Sequence, residues 1–168
     1  MRTIALLLFL SANFISDLEA QTPKPKEFHL LIGTYSSGDK PNGIHVVRFN
    51  SQTGEFNIDR PVTALPNASY LAISMDRKNV YAVSEAGGGG SVNAYSFDAV
   101  SGALTFMNSV PAQGPCYVSV DAQKKIVFTG NYGGGSVLSV LLKADGSFAE
   151  DRTQTIRHQG SSVVKDRQ

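Results

Sequence analysis

Glu85 closes a short apolar run, Val80-Tyr81-Ala82-Val83-Ser84, and a glycine-rich stretch follows it almost at once. A carboxylate at the end of a strand and beside a loop can take a proton from water as a general base. Asn131 and Tyr132 stand in the matching place after the run Ile126–Thr129, and Tyr35 ends the earlier run Phe28–Tyr35. Amide and phenol groups there can hydrogen-bond a polar substrate, or can simply order a turn. Arg167 offers a planar fork for a bidentate contact with an anion. His158 can act as acid or base near neutrality, or sit in a surface loop. Glu85 has a plainer alternative too, a solvated loop acid. Cys116 follows Gly114-Pro115. A nucleophilic thiol needs an activating base, none is assignable here, and a buried, inert thiol is expected instead. The catalytic group is therefore unassigned, with Glu85 its candidate.

Other chemistries lack their residues. His29, His45 and His158 are far apart and fit no Cys/His spacing, so no metal is expected. Gly87–Gly90 and Gly133–Gly135 are each followed by strand-like residues, Ser91-Val92-Asn93-Ala94-Tyr95 and Ser136-Val137-Leu138. A dinucleotide fingerprint needs a helix there, so these glycines read as turns and no cofactor is expected. A net charge of +1 over 168 residues lacks the Lys/Arg excess of a nucleic-acid binder. With 42% hydrophobic and 17% charged residues, the chain is not a disordered tail. Its one cysteine excludes an internal disulfide framework.

The elements that must carry these groups are short strands. Apolar residues alternate or run in short blocks, punctuated by Thr53-Gly54, Asp76-Arg77-Lys78-Asn79, Ser101-Gly102 and Asp145-Gly146. The pattern repeats. Asp76 recurs as Asp121 and Val92 as Val137, each 45 residues on, and Gly102 recurs as Gly146 after 44. An earlier partial copy sits 48 residues before, at Ile44 and Gly54. Four strands in roughly 40–50 residues, in tandem, predict an all-β propeller of four-stranded blades. The blades are expected at about 28–61 (three strands of one blade), 68–111 and 115–157. In each full blade the innermost strands should be Tyr70–Met75 and Tyr117–Val120, so Glu85, Asn131 and Tyr35 fall at one mouth. Propellers close with about four to eight blades. About three are present, and the sequence reads as part of a longer propeller. Uncovered blade faces at both ends predict self-association of such a piece.

Residues 1–20 read as a signal peptide. Met1-Arg2 precedes an apolar core, Ile4–Leu10, that fades by Ile15, and Ala20 is a small residue at a candidate cleavage point. The apolar segment is well short of the roughly 20 residues that span a bilayer. The expectation is a secreted or periplasmic chain with no membrane attachment after cleavage. Residues 21–27 are a polar, proline-bearing, flexible lead-in.

Four ordered motifs carry a resemblance. They are Leu31-Ile32-Gly33-Thr34-Tyr35, Gly114-Pro115-Cys116-Tyr117-Val118-Ser119-Val120-Asp121, Gly130-Asn131-Tyr132-Gly133-Gly134-Gly135-Ser136-Val137, and His158-Gln159-Gly160-Ser161-Ser162 with Asp166-Arg167-Gln168. Together they resemble the N-terminal part of the lactonase family of seven-bladed β-propellers, the 6-phosphogluconolactonase type. The resemblance covers essentially all of residues 28–168. It implies a metal-independent hydrolase that opens a small-molecule sugar lactone with water. It also implies that polar catalytic groups lie downstream, so that this portion alone is inactive. Tyr35, Asn131, Tyr132 and Arg167 become the candidates for holding substrate, beside Glu85. The chain departs from the family pattern at Tyr117, where a histidine often follows the cysteine, and at Ser84, where asparagine is common before the glutamate. The rival reading is a non-catalytic propeller used as a binding scaffold, because one fold hosts many functions.

Overall fold

The computed structural model describes residues 26–35, 43–58, 63–85, 89–121, 125–161 and 163–164. The leader, nearly all of the lead-in and Arg167 lie outside the described residues. Twelve strands are present and no helix among the described residues. The first sheet holds β1 (Glu27–Gly33), β2 (Gly43–Asn50), β3 (Phe56–Ile58) and β4 (Thr63–Ala64). β3 and β4 both pair with β2, so this sheet is three strands wide with a divided outer strand. The second runs β5 (Leu71–Ile73), β6 (Asn79–Ser84), β7 (Ser91–Asp98), β8 (Ala103–Pro111). The third runs β9 (Pro115–Asp121), β10 (Ile126–Asn131), β11 (Ser136–Leu142), β12 (Phe148–Arg157). Every pairing is antiparallel, and all but β2–β4 join consecutive strands, which short hairpin turns allow. These are propeller blades with β5 and β9 innermost.

The core lies between blades rather than within them. Side chains alternate across a strand, and β6 is buried throughout because both of its faces are covered. Val80 and Ala82 join Ile44, Leu65 and Ala68 against the first blade. Tyr81 and Val83 join Val118, Val127, Leu138, Val140 and Phe148 against the third. Burying such a side chain contributes about 1.5–3 kcal/mol, so the two layers bind three sheets into one body.

A turn repeated in all three blades locks the second and third each to the blade before it. Gly54, Gly102 and Gly146 have φ of 76°, 72° and 88°, a left-handed conformation that glycine adopts without strain. The Asp98–Gly102 turn reaches back to the first blade, where the Ala99 carbonyl lies 3.2 Å from His29 Nδ1. The Asp145–Gly146 turn reaches back to the second blade. There Asn79 Nδ2 donates to the Asp145 carbonyl at 3.1 Å and the Tyr81 hydroxyl donates to the Gly146 carbonyl at 2.9 Å.

Candidate functional site

The exits of β1 and β6 are brought together by the loop that leads into β5. Ser84 Oγ donates to the Pro66 carbonyl at 2.6 Å, and Asn67 Nδ2 donates to the Glu85 carbonyl at 2.8 Å. The Glu85 amide returns a bond to the Asn67 carbonyl at 3.1 Å. On the other side the Ala68 amide donates to the Thr34 carbonyl at 3.1 Å. Gly33 permits that approach, because a Cβ there would overlap the Ala68 carbonyl. The loop thus ties two strand ends from different blades, as the chemistry of a shared mouth requires.

The result is a contact between two candidates 50 residues apart: the Tyr35 hydroxyl donates to Glu85 Oε1 at 2.9 Å. The carboxylate raises the Tyr35 pKa above its ordinary value, first through that hydrogen bond and further through its charge. The phenol therefore stays protonated, and stays a donor, through neutral pH. Glu85 is half-buried, and its other oxygen, Oε2, has no hydrogen bond among the described residues. One oxygen is anchored and the other is open to a water molecule, the arrangement a general base needs.

The remaining candidates divide. Tyr132 is 85% exposed just past β10. Asn131 is only 4% exposed, and its amide is engaged within the blade: Oδ1 accepts from Thr129 Oγ1 at 2.9 Å, and Nδ2 donates to Ser136 Oγ at 3.2 Å. No hydrogen bond or ring contact among the described residues joins either to the Tyr35–Glu85 pair. His158 is exposed beyond β12, bonded through its backbone to the Gly135 carbonyl. Cys116 corrects an expectation. It is exposed rather than buried, because it opens the innermost strand, and its thiol donates to the Gly130 carbonyl at 3.6 Å. Among the described residues no group of three His, Cys, Asp or Glu side chains is placed to hold a metal. A groove of about 930 Å³ opens at the far end of the innermost strands between Phe28, Arg48, Met75 and Val100, away from Glu85.

Sequence reasoning missed two aromatic residues at the mouth. Tyr70 enters β5 and Tyr117 lies at the start of β9; their ring centroids are 4.9 Å apart at 53°. Alternation along the innermost strands, with the equivalent place in successive repeats, was the available signal.

Comparison with known proteins agrees with this architecture. Residues 29–168 match the family described as "Lactonase, 7-bladed beta-propeller". A 6-phosphogluconolactonase of Bacillus subtilis is 34% identical over 118 residues, 69% of this chain and 34% of the relative. Among solved structures, the periplasmic gluconolactonase of Pseudomonas aeruginosa superposes with a TM-score of 0.74 at 32% identity, over 83% of this chain and 41% of that one. A Bacteroides fragilis protein gives a TM-score of 0.76 at 34% identity, over 88% and 41%. The chain thus spans 34–41% of the length of these relatives. Three stacked blades, a Glu–Tyr pair at their mouth and a match over residues 29–168 lead to one assignment: the chain belongs to the lactonase family of seven-bladed β-propellers.

Proposed function

We propose that these residues are the lactone-facing portion of an exported sugar-lactone hydrolase of the 6-phosphogluconolactonase type, inactive by themselves. The observation that carries the reading is the anchored Glu85 carboxylate, one oxygen held by Tyr35 and the other open. In this reading Glu85 Oε2 takes a proton from water as the oxygen attacks the lactone carbonyl carbon. The tetrahedral intermediate then collapses, the ring C–O bond breaks, and the leaving ring oxygen takes the proton back from Glu85, which returns to its carboxylate form. The product is an open-chain hydroxy acid. Tyr132 and Arg167 are proposed contacts to the sugar. The apolar core of residues 4–10 supports export, and the Pseudomonas aeruginosa relative bears the description periplasmic.

The test is a chimaera in which residues 29–168 replace the matching part of the Bacillus subtilis relative. It should hydrolyse glucono-1,5-lactone or its 6-phosphate faster than the spontaneous reaction, and Glu85→Gln should lower kcat by about 100-fold. The purified 168-residue chain should show no hydrolysis above background. A folded chimaera without activity supports the non-catalytic scaffold instead. Full activity in Glu85→Gln removes the base from this residue.

A further inference from the structure

One cross-strand row of the third blade carries polar groups that lactone opening does not use. Asn131 on β10 pairs with Ser136 on β11, and Ser136 pairs with Arg157 on β12. The row lies on the face packed toward the second blade, and its inner part is shut from solvent: Thr129, Asn131 and Ser136 are 0%, 4% and 6% exposed. Their hydrogen bonds run in one direction. Thr129 Oγ1 donates to Asn131 Oδ1, and Asn131 Nδ2 donates to Ser136 Oγ. The Ser136 proton comes last and meets no acceptor among the described residues. Each bond polarises the next, so the series ends on a strengthened donor without a partner. That donor borders a crevice of about 380 Å³ between the second and third blades, with Pro111, Ala112 and Gln113 on one wall and Thr155 and Arg157 on the other. No Asp or Glu lines it, and Arg157 makes no ion pair among the described residues. The second blade offers an internal comparison. Its matching row is Ser84–Ser91–Pro111, which has no cation. There the hydroxyls are consumed within the protein, Ser84 by the Pro66 carbonyl and Ser91 by Asn93.

A guanidinium beside a buried, outward-directed donor, with an apolar wall opposite and no competing carboxylate, is complementary to a small anion on an apolar body. One cation balances one negative charge, whereas a phosphate dianion would be left half compensated. We infer that the crevice binds the carboxylate of a small organic acid. Arg157 holds the carboxylate by its planar fork, Ser136 Oγ donates to one of its oxygens, and the body of the acid lies against Pro111 and Ala112. Arg157 is on the outermost strand of its blade, three strand spacings or roughly 14 Å from the innermost strand. The site is therefore separate from the Tyr35–Glu85 pair, and its chemistry does not depend on the lactone reading. A solvated surface charge is the competing role for Arg157, and a charged and an uncharged probe separate the two.

The experiment titrates the full 168-residue chain with benzoate, with benzamide as its uncharged counterpart and inorganic phosphate as the rival anion. Ionic strength is held constant, because salt screens an exposed charge. Ligand-observed NMR gives the affinity, and backbone amide shifts give the place. Benzoate should move the amides of Gly90, Gln113, Ser136 and Arg157 and bind at least about tenfold more tightly than benzamide. Arg157→Gln should weaken benzoate binding about tenfold. Arg157→Lys should weaken it about threefold, since the charge stays and the fork is lost. Ser136→Ala should weaken it severalfold. Arg157 is exposed, so its variants carry the test even where Ser136→Ala does not fold. The proposal is overturned if the parent chain does not bind benzoate, if Arg157→Gln binds it as well as the parent, or if benzamide binds equally. Amide shifts confined to the neighbours of Glu85 also overturn it, because they put the anion at the mouth. Phosphate that displaces benzoate at a lower concentration than benzoate itself requires overturns the assignment to a carboxylate.

Discussion

At the scale of single residues, the mouth is defined by a phenol and a carboxylate that sequence brings to equivalent places but not to each other. Tyr35 and Glu85 each end a strand, which their flanking apolar runs make legible; that they touch depends on the loop through Asn67 and Ala68 drawing two blades together. Glu85→Gln keeps an acceptor and removes the charge. Tyr35 should then ionise at lower pH than in the parent chain, because the group that disfavours phenolate is gone. Tyrosinate absorbance of Glu85→Gln, corrected with a Glu85→Gln/Tyr35→Phe double variant, measures this; an unmoved titration denies the contact. Asn131 shows where reading by equivalence goes wrong. Val127, Thr129 and Asn131 alternate onto one face, and that face is the one packed on the second blade. Period-two parity was present in the sequence and places Asn131 inward, whereas its position after a strand suggested the mouth. Cys116 misled for a different reason: cysteine is usually buried, but here it is the extra residue where the register shifts between the Asn131–Pro115 and Gly130–Tyr117 pairs, so two successive side chains, Cys116 and Tyr117, face out.

At the scale of elements, the 44–48-residue spacing made the blades legible because each repeats the same turn chemistry. The division of the first blade's outer strand was not legible. Thr63–Ala64 is two residues long and gains its pairing from β2 rather than from any pattern of its own. Nor was the interlock between blades, since Asn79 and Tyr81 are 66 and 65 residues from the carbonyls they bind. A pair of glycine variants isolates that interlock. Gly54 and Gly146 share a left-handed φ, but a Cβ at Gly54 meets nothing, whereas at Gly146 it would overlap the Asn79 side chain. Gly54→Ala should cost about 1 kcal/mol, the backbone term alone. Gly146→Ala should cost about 3 kcal/mol, since it adds displacement of Asn79 and loss of its bond to Asp145. Denaturant unfolding of the two variants gives the comparison, and equal losses would mean that the turn carries no inter-blade lock.

At the scale of the whole molecule, the middle blade is covered on both faces and its neighbours on one. Cross-strand rows Phe28–Phe49–Phe56 and Leu30–Val47–Ile58 line the first blade's face away from the second blade, with Val47 alone among them buried. There Phe28, Leu30, Ile32, Phe56 and Ile58 are 40–68% exposed. Contiguous apolar area of this kind drives association, so the 168-residue chain should show concentration-dependent self-association in sedimentation, reduced by Phe56→Lys; a strictly monomeric folded chain refutes this. The covered layers set a different limit, at high pH. Tyr81 and Tyr95 sit one in each inter-blade layer, and burial pushes both phenols up to about 12, with Asp76 and Asp145 adding to the effect at Tyr81. In the unfolded chain they ionise near the ordinary value of 10.0. The folded state therefore holds its full contribution from these groups below pH 10, and loses it progressively as pH rises through 12. The denaturant midpoint should fall steeply across that window. Tyr81→Phe should begin less stable at neutral pH, for want of its bond to the Gly146 carbonyl, yet decline less on the alkaline side because one of the two titrating groups is gone. A parent chain whose stability is flat between pH 10 and 12 would show that neither phenol is held neutral by the layers between the blades.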